Sequence, residues 1–289
     1  MTYNPRIQFG DHGHRNPGGA GRRGGGPPGR GRNRRALSQN FLHDRPTIQR
    51  IVRAARTGSG DLVVEVGGGE GGLTAALAAR AGQVVSYEID PVMAARQRAR
   101  CRDLANVRCV LGDFLRSRPP GVPFAVVGNI PYSVTAKIVE WCLRAPRLTS
   151  ATLVTQLEYA RKRTGDYGRW SKVTVESWPR FDWELGGRID RDKFRPVPGV
   201  DSAILRLERR GTCLLPDPAL PDYRGFVEVG FGGVGGSLHA SLRRAFPKGR
   251  VDAAFRATGL DRETAVGFVH PDQWLGLFRV VHGLPPDRA

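Results

Sequence analysis

From residue 44 onward the chain alternates short apolar runs with stretches of helical period. Asp44 is placed to cap a first helix, with Pro46 in its opening turn and Ile48, Ile51 and Val52 on one face. Residues 62–66 predict a strand, followed by a glycine-rich turn and a helix over 73–80. A second strand at 84–87 leads into a helix opened by Asp90 and Pro91, and residues 107–111 and 124–127 read as third and fourth strands. Strand followed by helix, repeated, predicts a parallel sheet. Runs at 151–157, 172–177, 181–185 and 203–207 predict further strands, the later ones antiparallel. Beyond Gly211 the period lengthens, and residues 223–229, 238–246, 251–258 and 271–278 read as short helices. There is no internal repeat. The pattern therefore predicts an α/β chain, with an open Rossmann-like sheet domain over 36–210 and a small helical domain over 211–289.

Residues 1–35 fit neither part. They are rich in Gly, Arg and Pro, lack apolar periodicity, and cannot bury enough surface to offset the entropy of ordering, so a disordered basic arm is expected. The arm holds eight arginines against the single acid Asp11, a net +7 of the chain's formal +18. Such self-repulsion stabilises no fold, and it points to a polyanionic partner, nucleic acid. With 40% hydrophobic residues, the 289-residue chain has ample material for a core. No apolar run approaches the roughly 20 residues of a spanning helix, and the N-terminus lacks a secretory apolar stretch, so a cytosolic protein without a membrane partner is expected. Cys101, Cys109, Cys142 and Cys213 form no C-x-x-C pair, which implies reduced thiols and no metal site.

Each of the first four strands ends in a polar tip, and the carboxyl edge of an open α/β sheet is where ligands bind. The first tip runs Glu65-Val66-Gly67-Gly68-Gly69-Glu70-Gly71-Gly72, where missing side chains let the backbone pass close beneath a ligand at a helix N-terminus. Gly67, Gly69 and Gly71 satisfy the G-x-G-x-G spacing of S-adenosylmethionine sites, while Gly67, Gly69 and Gly72 satisfy the G-x-G-x-x-G spacing of dinucleotide sites; the glycines leave both open. Glu88, about 20 residues beyond the loop, can accept hydrogen bonds from both hydroxyls of a ribose, which selects an adenosine-bearing ligand. At the third tip Asp113 offers a carboxylate to an adenine amine and Phe114 a ring beside the base. Dinucleotide folds have less need of this third acidic tip. No G-x-x-x-x-G-K-[ST] run occurs, which argues against phosphoryl transfer.

The fourth tip is Gly128-Asn129-Ile130-Pro131-Tyr132. An adenine amine is a poor nucleophile because its lone pair is delocalised into the ring. If the Asn129 side-chain oxygen and the Ile130 carbonyl both accept its hydrogens, developing positive charge is stabilised and the nitrogen can pyramidalise toward a methyl group. Pro131, with its fixed φ, would hold that carbonyl in place. Tyr132 offers a stacking face, worth roughly 1–3 kcal/mol per base in single-strand binders. Displacement at a sulfonium methyl needs neither metal nor strong base, so positioning supplies most of the catalysis.

With these motifs the sequence closely resembles the rRNA adenine N6-methyltransferases, which include the erythromycin-resistance (Erm) enzymes and the small-subunit dimethyladenosine transferases. The likeness covers residues 36 to about 207: Gln39-Asn40-Phe41-Leu42, the Gly67 loop, Glu88, Asp113, the Asn129 to Tyr132 motif, and Lys193-Phe194-Arg195-Pro196-Val197-Pro198. The resemblance implies the Rossmann-like S-adenosylmethionine-dependent methyltransferase fold. It implies that Asn40, Leu42, Gly67, Gly69, Gly71, Ile89, Phe114 and Asn129 line the cofactor, Glu88 its ribose and Asp113 its adenine, while Asn129, Tyr132 and Phe194 hold the target base. The stretch from Thr155 to Trp170 resembles the actinobacterial Erm enzymes more than the small-subunit ones, which favours 23S rRNA, at the adenine where macrolides bind, as the partner of a monomer. Gly199 departs from the family, where many relatives carry lysine. Arg161, Lys162 and Arg163 offer charge to an RNA backbone, or form a solvated helix face. Phe194, by residue type alone, is as readily a core residue as a base contact.

Three other functions stay open on sequence: a 16S rRNA dimethyladenosine transferase, a non-catalytic RNA-binding assembly factor, and a nicotinamide dehydrogenase. The intact Asn129 motif argues against the second.

Overall fold

The computed structural model describes residues 40–233 and 237–285; the basic arm and Gln39 lie outside them. Asp44 caps helix α1 (Arg45–Ala55) as expected, its carboxylate accepting the Thr47 amide at 2.9 Å, with Pro46 in the first turn. Ile48, Ile51, Val52 and Ala55 are buried in one cluster with Val63, Val154 and Ile204, so this helix covers a face of the sheet.

That sheet has seven strands. β2 (Leu62–Val66), β3 (Gln83–Glu88), β4 (Val107–Leu111), β5 (Phe124–Asn129), β6 (Leu148–Gln156), β7 (Phe181–Ile189) and β9 (Ser202–Arg209) lie in the order β4-β3-β2-β5-β6-β9-β7. The first five pair in parallel. β9 is antiparallel to both β6 and β7, so the expected reversal is confined to one strand and β7 runs with the parallel set. β2 is buried along its whole length, which suits a central strand of continuous apolar character. The chain leaves β2 toward β3 and β4 and returns to β5 on its other side, placing the topological switch point between the Gly67 and Asn129 tips. Separately, β1 (Phe41–Leu42) pairs antiparallel with β8 (Phe194–Arg195).

The sheet helices are α2 (Gly72–Ala78), α3 (Pro91–Arg100), α4 (Thr135–Arg144), α5 (Leu157–Arg163) and α6 (Lys172–Ser177). Asp90 caps α3, accepting the amides of Val92 and Met93 at 2.8 and 3.3 Å. α4 is absent from the predicted elements, while α5 carries Arg161, Lys162 and Arg163, for which a helix face is one of the two readings. α6 replaces the strand expected at 172–177. Its alternating Lys-Val-Thr-Val-Glu-Ser reads as a strand, but Ser171 accepts the Thr174 amide at 3.3 Å as an N-cap, and Thr174, Val175 and Trp178 are buried at helical spacing. Capping and burial together override β-branched propensity here.

The four expected C-terminal helices are all present, as α7 (Leu220–Gly232), α8 (Leu238–Ala245), α9 (Lys248–Thr258) and α10 (Pro271–His282). Tyr223, Phe226, Trp274 and Phe278 form their core. The Tyr223 hydroxyl donates to the Val175 carbonyl at 3.1 Å and Trp178 Nε1 to Asp272 at 2.6 Å, tying α6 to the helical part. The described residues after Ala36 accordingly pack as one body across the 210/211 boundary. Among them no helix is long and apolar enough to cross a membrane, and no His, Cys, Asp and Glu side chains gather into a metal-binding group.

Candidate active site

The glycine loop after β2 needs its glycines for conformation and for space. Gly67, Gly69 and Gly71 have φ of +77°, +53° and +81°, a region that costs a side-chain-bearing residue roughly 1–2 kcal/mol. The Tyr87 carbonyl, near the tip of β3, holds the loop by accepting the amides of Gly67 and Gly68 at 2.9 and 3.1 Å. Gly68 admits no side chain: a Cβ there would overlap Gln97 Nε2 and stand 2.5 Å from Ser86 Oγ. Those two atoms belong to a buried polar layer under the loop. Glu65, fully buried, accepts from Thr74 Oγ1 at 2.6 Å and Ser86 Oγ at 2.5 Å, and Gln97 Nε2 donates to both hydroxyls at 3.1 and 2.5 Å. Burial pushes the Glu65 carboxyl up to about 7, against the two hydroxyl hydrogen bonds.

Glu88 ends β3 beneath this loop. One of its oxygens accepts the Gly69 amide at 2.7 Å and the other the Asp90 amide at 2.9 Å, which fixes the carboxylate plane. Each oxygen retains a second lone pair for a ribose hydroxyl. Ile89 beside it is half exposed. Asp113 is partly exposed at the β4 tip and caps the short turn Phe114–Arg116, accepting the Leu115 amide at 3.0 Å. Phe114 is buried, its ring 4.3 Å from Trp141 and 5.9 Å from Tyr87 between centroids.

Asn129 ends β5 across the switch point. Its side-chain Nδ2 donates to the Asn40 carbonyl at 2.8 Å. This bond settles which way the amide faces, since only the nitrogen can donate, and it leaves Oδ1 to accept from another donor. Gly128 before it lets β5 run close to β2; a Cβ there would stand 2.5 Å from the Val66 carbonyl oxygen. Ile130 has a buried side chain, and among the described residues no backbone amide outside the ladders donates to its carbonyl. Pro131 sits at φ −61° and starts a short turn over Tyr132–Val134. The Tyr132 hydroxyl is held by Ser202 Oγ at 2.7 Å, leaving the phenol partly exposed. Four strand tips and the Asn40 carbonyl thus converge on one edge, with glycine backbone and carboxylates on one side and an amide oxygen and a phenol on the other.

The family described as Ribosomal RNA adenine dimethylase matches residues 30–282.

The chain belongs to that family.

An rRNA adenine N-6-methyltransferase of Streptomyces fradiae is 58% identical over 252 residues, covering 86% of this chain and 79% of that protein. The mycinamicin-resistance protein MyrB of Micromonospora griseorubida is 34% identical over 247 residues, covering 86% of this chain and 78% of its own length. The crystal structure of the 23S rRNA methyltransferase ErmE superposes with a TM-score of 0.81 at 52% identity, covering 84% of this chain and all of that one.

Within this family member, the residues singled out from sequence fall into two groups. Asn40, Gly67, Gly69, Gly71, Glu88, Asp113, Phe114, Asn129, Ile130, Pro131 and Tyr132 lie at or beside the strand tips. Phe194 does not present a face there: its ring is fully buried in the core cluster with Ile48 and Leu77, and Leu42 packs against the same cluster. Strand β8 draws Phe194 in by pairing it with Leu42. Sequence reasoning missed Ser202, the backbone role of Asn40, the Thr74–Ser86–Gln97 layer and Trp141. Each acts through a partner distant in sequence, and no local spacing marks it.

Proposed function

We propose that this chain transfers a methyl group from S-adenosylmethionine to N6 of an unpaired adenine in 23S rRNA, at the macrolide-binding region, and thereby confers macrolide, lincosamide and streptogramin B resistance. The observation that carries the reading is the Asn129 amide, whose Nδ2 is engaged by the Asn40 carbonyl so that its oxygen is the atom left to accept. The names of the relatives and of the ErmE structure support the RNA, the base and the resistance.

The glycine cradle and the doubly anchored Glu88 fit an adenosine-bearing cofactor, with Glu88 on the ribose and Asp113 and Phe114 toward the adenine. When bound, S-adenosylmethionine supplies an electrophilic methyl on a sulfonium. Asn129 Oδ1 and the Ile130 carbonyl accept the two N6 hydrogens and draw lone-pair density out of the ring onto the nitrogen. Tyr132, steadied by Ser202, stacks on the base and fixes the approach direction. RNA presents readable adenines in unstacked loops, where one edge and both faces are open to this recognition.

Incubation with labelled S-adenosylmethionine and either protein-free 23S rRNA or 30S particles tests the assignment. Label enters the 23S rRNA on this reading; label in 30S particles alone would give the small-subunit activity instead, and none in either would remove the proposed function.

A further inference from the structure

A cavity lies between α4, α5, α6 and α7. Its volume is about 500 Å³, within the range of small-ligand pockets, about 300–1,000 Å³. Arg144, Arg163, Arg180 and Arg224 line it, against the two acids Glu140 and Glu176. Two of the arginines are already neutralised: Arg144 pairs with Glu140 at 2.6 Å and Arg180 with Asp217 at 2.9 Å. Glu176 faces Lys172 at 3.7 Å. Arg163 and Arg224 have no carboxylate within ion-pairing distance among the described residues. The Arg163 guanidinium lies 4.6 Å over the Tyr159 ring, and its Nε is buried without an acceptor. A guanidinium lining the cavity with no carboxylate partner is a ready site for an anion. Apolar walls, including Val139, Leu143 and Phe181, suit the flat body of a base.

We infer that this cavity receives a second nucleotide of the RNA strand, its phosphate between Arg163 and Arg224 and its base against Tyr159. The inference rests on the proposed RNA substrate. Ala136, on the cavity wall, is four residues beyond Tyr132, so the cavity is reached by a strand whose target base lies on that tyrosine. Arg224 belongs to α7, so the site needs the helical part of the chain as well as the sheet part.

The test uses the full chain and short RNA substrates in which single phosphates flanking the target adenine are replaced, one at a time, by neutral methylphosphonates. RNA affinity is read by fluorescence anisotropy and methyl transfer by label. For the unaltered protein, one linkage stands out with a roughly tenfold loss of affinity, the scale of one charge-assisted contact. Arg224→Gln, an exposed position, lowers affinity for the natural RNA by a similar factor, loses its sensitivity at that one linkage, and leaves S-adenosylhomocysteine binding unchanged; Arg224→Lys recovers part of the loss. Equal sensitivity at every linkage, or an Arg224→Gln protein indistinguishable from the original, overturns the inference. Free 5′-AMP and inorganic phosphate serve as competitors. Displacement of the RNA by 5′-AMP at micromolar concentration, with Arg224→Gln as sensitive to the methylphosphonate as the original protein, would make the cavity a site for a free nucleotide and overturn the RNA assignment. Because affinity is measured without turnover, failure of methyl transfer counts against the proposed reaction and leaves the cavity to be decided by anisotropy.

Discussion

Replacing Asn129 with Ala removes one acceptor from the target amine and one donor from the Asn40 carbonyl. The first change acts on the reaction. An oriented dipole that interacts with charge developing in the transition state is worth about 10²–10³ in kcat, or roughly 3–4 kcal/mol, and the Ile130 carbonyl remains to supply the other acceptor. The second change acts on stability and costs about 1 kcal/mol, since the 2.8 Å bond is only part-buried and water can take the place of the missing donor. Cofactor affinity stays within about threefold, because the loop and Glu88 are anchored by other atoms. Asn129→Asp does not rescue: a carboxylate oxygen would face the Asn40 carbonyl where Nδ2 now donates, and two acceptors repel. Single-turnover transfer of labelled methyl at saturating RNA, with S-adenosylhomocysteine affinity measured by calorimetry, separates the effects. A kcat decrease below about tenfold, or a cofactor affinity that falls in step with kcat, refutes the role assigned to Asn129.

Glu88→Gln turns one amide-accepting oxygen into a donor facing a backbone N–H, so S-adenosylhomocysteine affinity falls by roughly thirtyfold, about 2 kcal/mol, in a titration where RNA affinity is unchanged. Gly68→Ala drives a methyl into Gln97 and Ser86, and calorimetric unfolding should show a destabilisation of about 1–3 kcal/mol together with weakened cofactor binding. Glu65 supplies a pH dependence. Its folded pKa, about 7, is above its ordinary value of 4.5, so the native state binds more protons than the unfolded state between those values and stability falls as pH rises from about 5 to 8. Denaturant titrations of Glu65→Gln should show a flatter profile over that window, and an identical slope would mean the carboxyl titrates normally. Deleting residues 1–35 removes a net +7 and should flatten the salt dependence of RNA binding by about 0.7 in log–log slope for each single-strand phosphate that the arm neutralises, with the choice of adenine unaltered.

How far the sequence reaches depends on whether a signal is local. Asp44, Asp90 and the glycine loop are read correctly because a cap or a turn is decided within a few residues. The strand tips are legible for the same reason, and the rule that ligands bind at the carboxyl edge brings Gly67, Glu88, Asp113 and Asn129 together from sequence alone. Residues 172–177 mislead because β-branched alternation mimics a strand, while the Ser171 cap and the burial of Thr174 and Val175 decide for a helix. The Asn40 carbonyl lies 89 residues from Asn129, and Ser202 lies 70 from Tyr132. Such pairings exist only once the sheet is assembled. Phe194 shows the converse: its aromatic character suits a base or a core equally, and pairing of β1 with β8 puts it in the core.

The most direct measurement is the chemical identity of the product nucleoside. Labelled 23S rRNA from the reaction is digested to nucleosides and resolved by liquid chromatography with mass spectrometry. Label that co-elutes with N6-methyladenosine or N6,N6-dimethyladenosine, and forms about 10²–10³ times more slowly with Asn129→Ala, is the result expected of an amine held by two oxygens. Label on a ring position of adenine, on a ribose or on another base would contradict it.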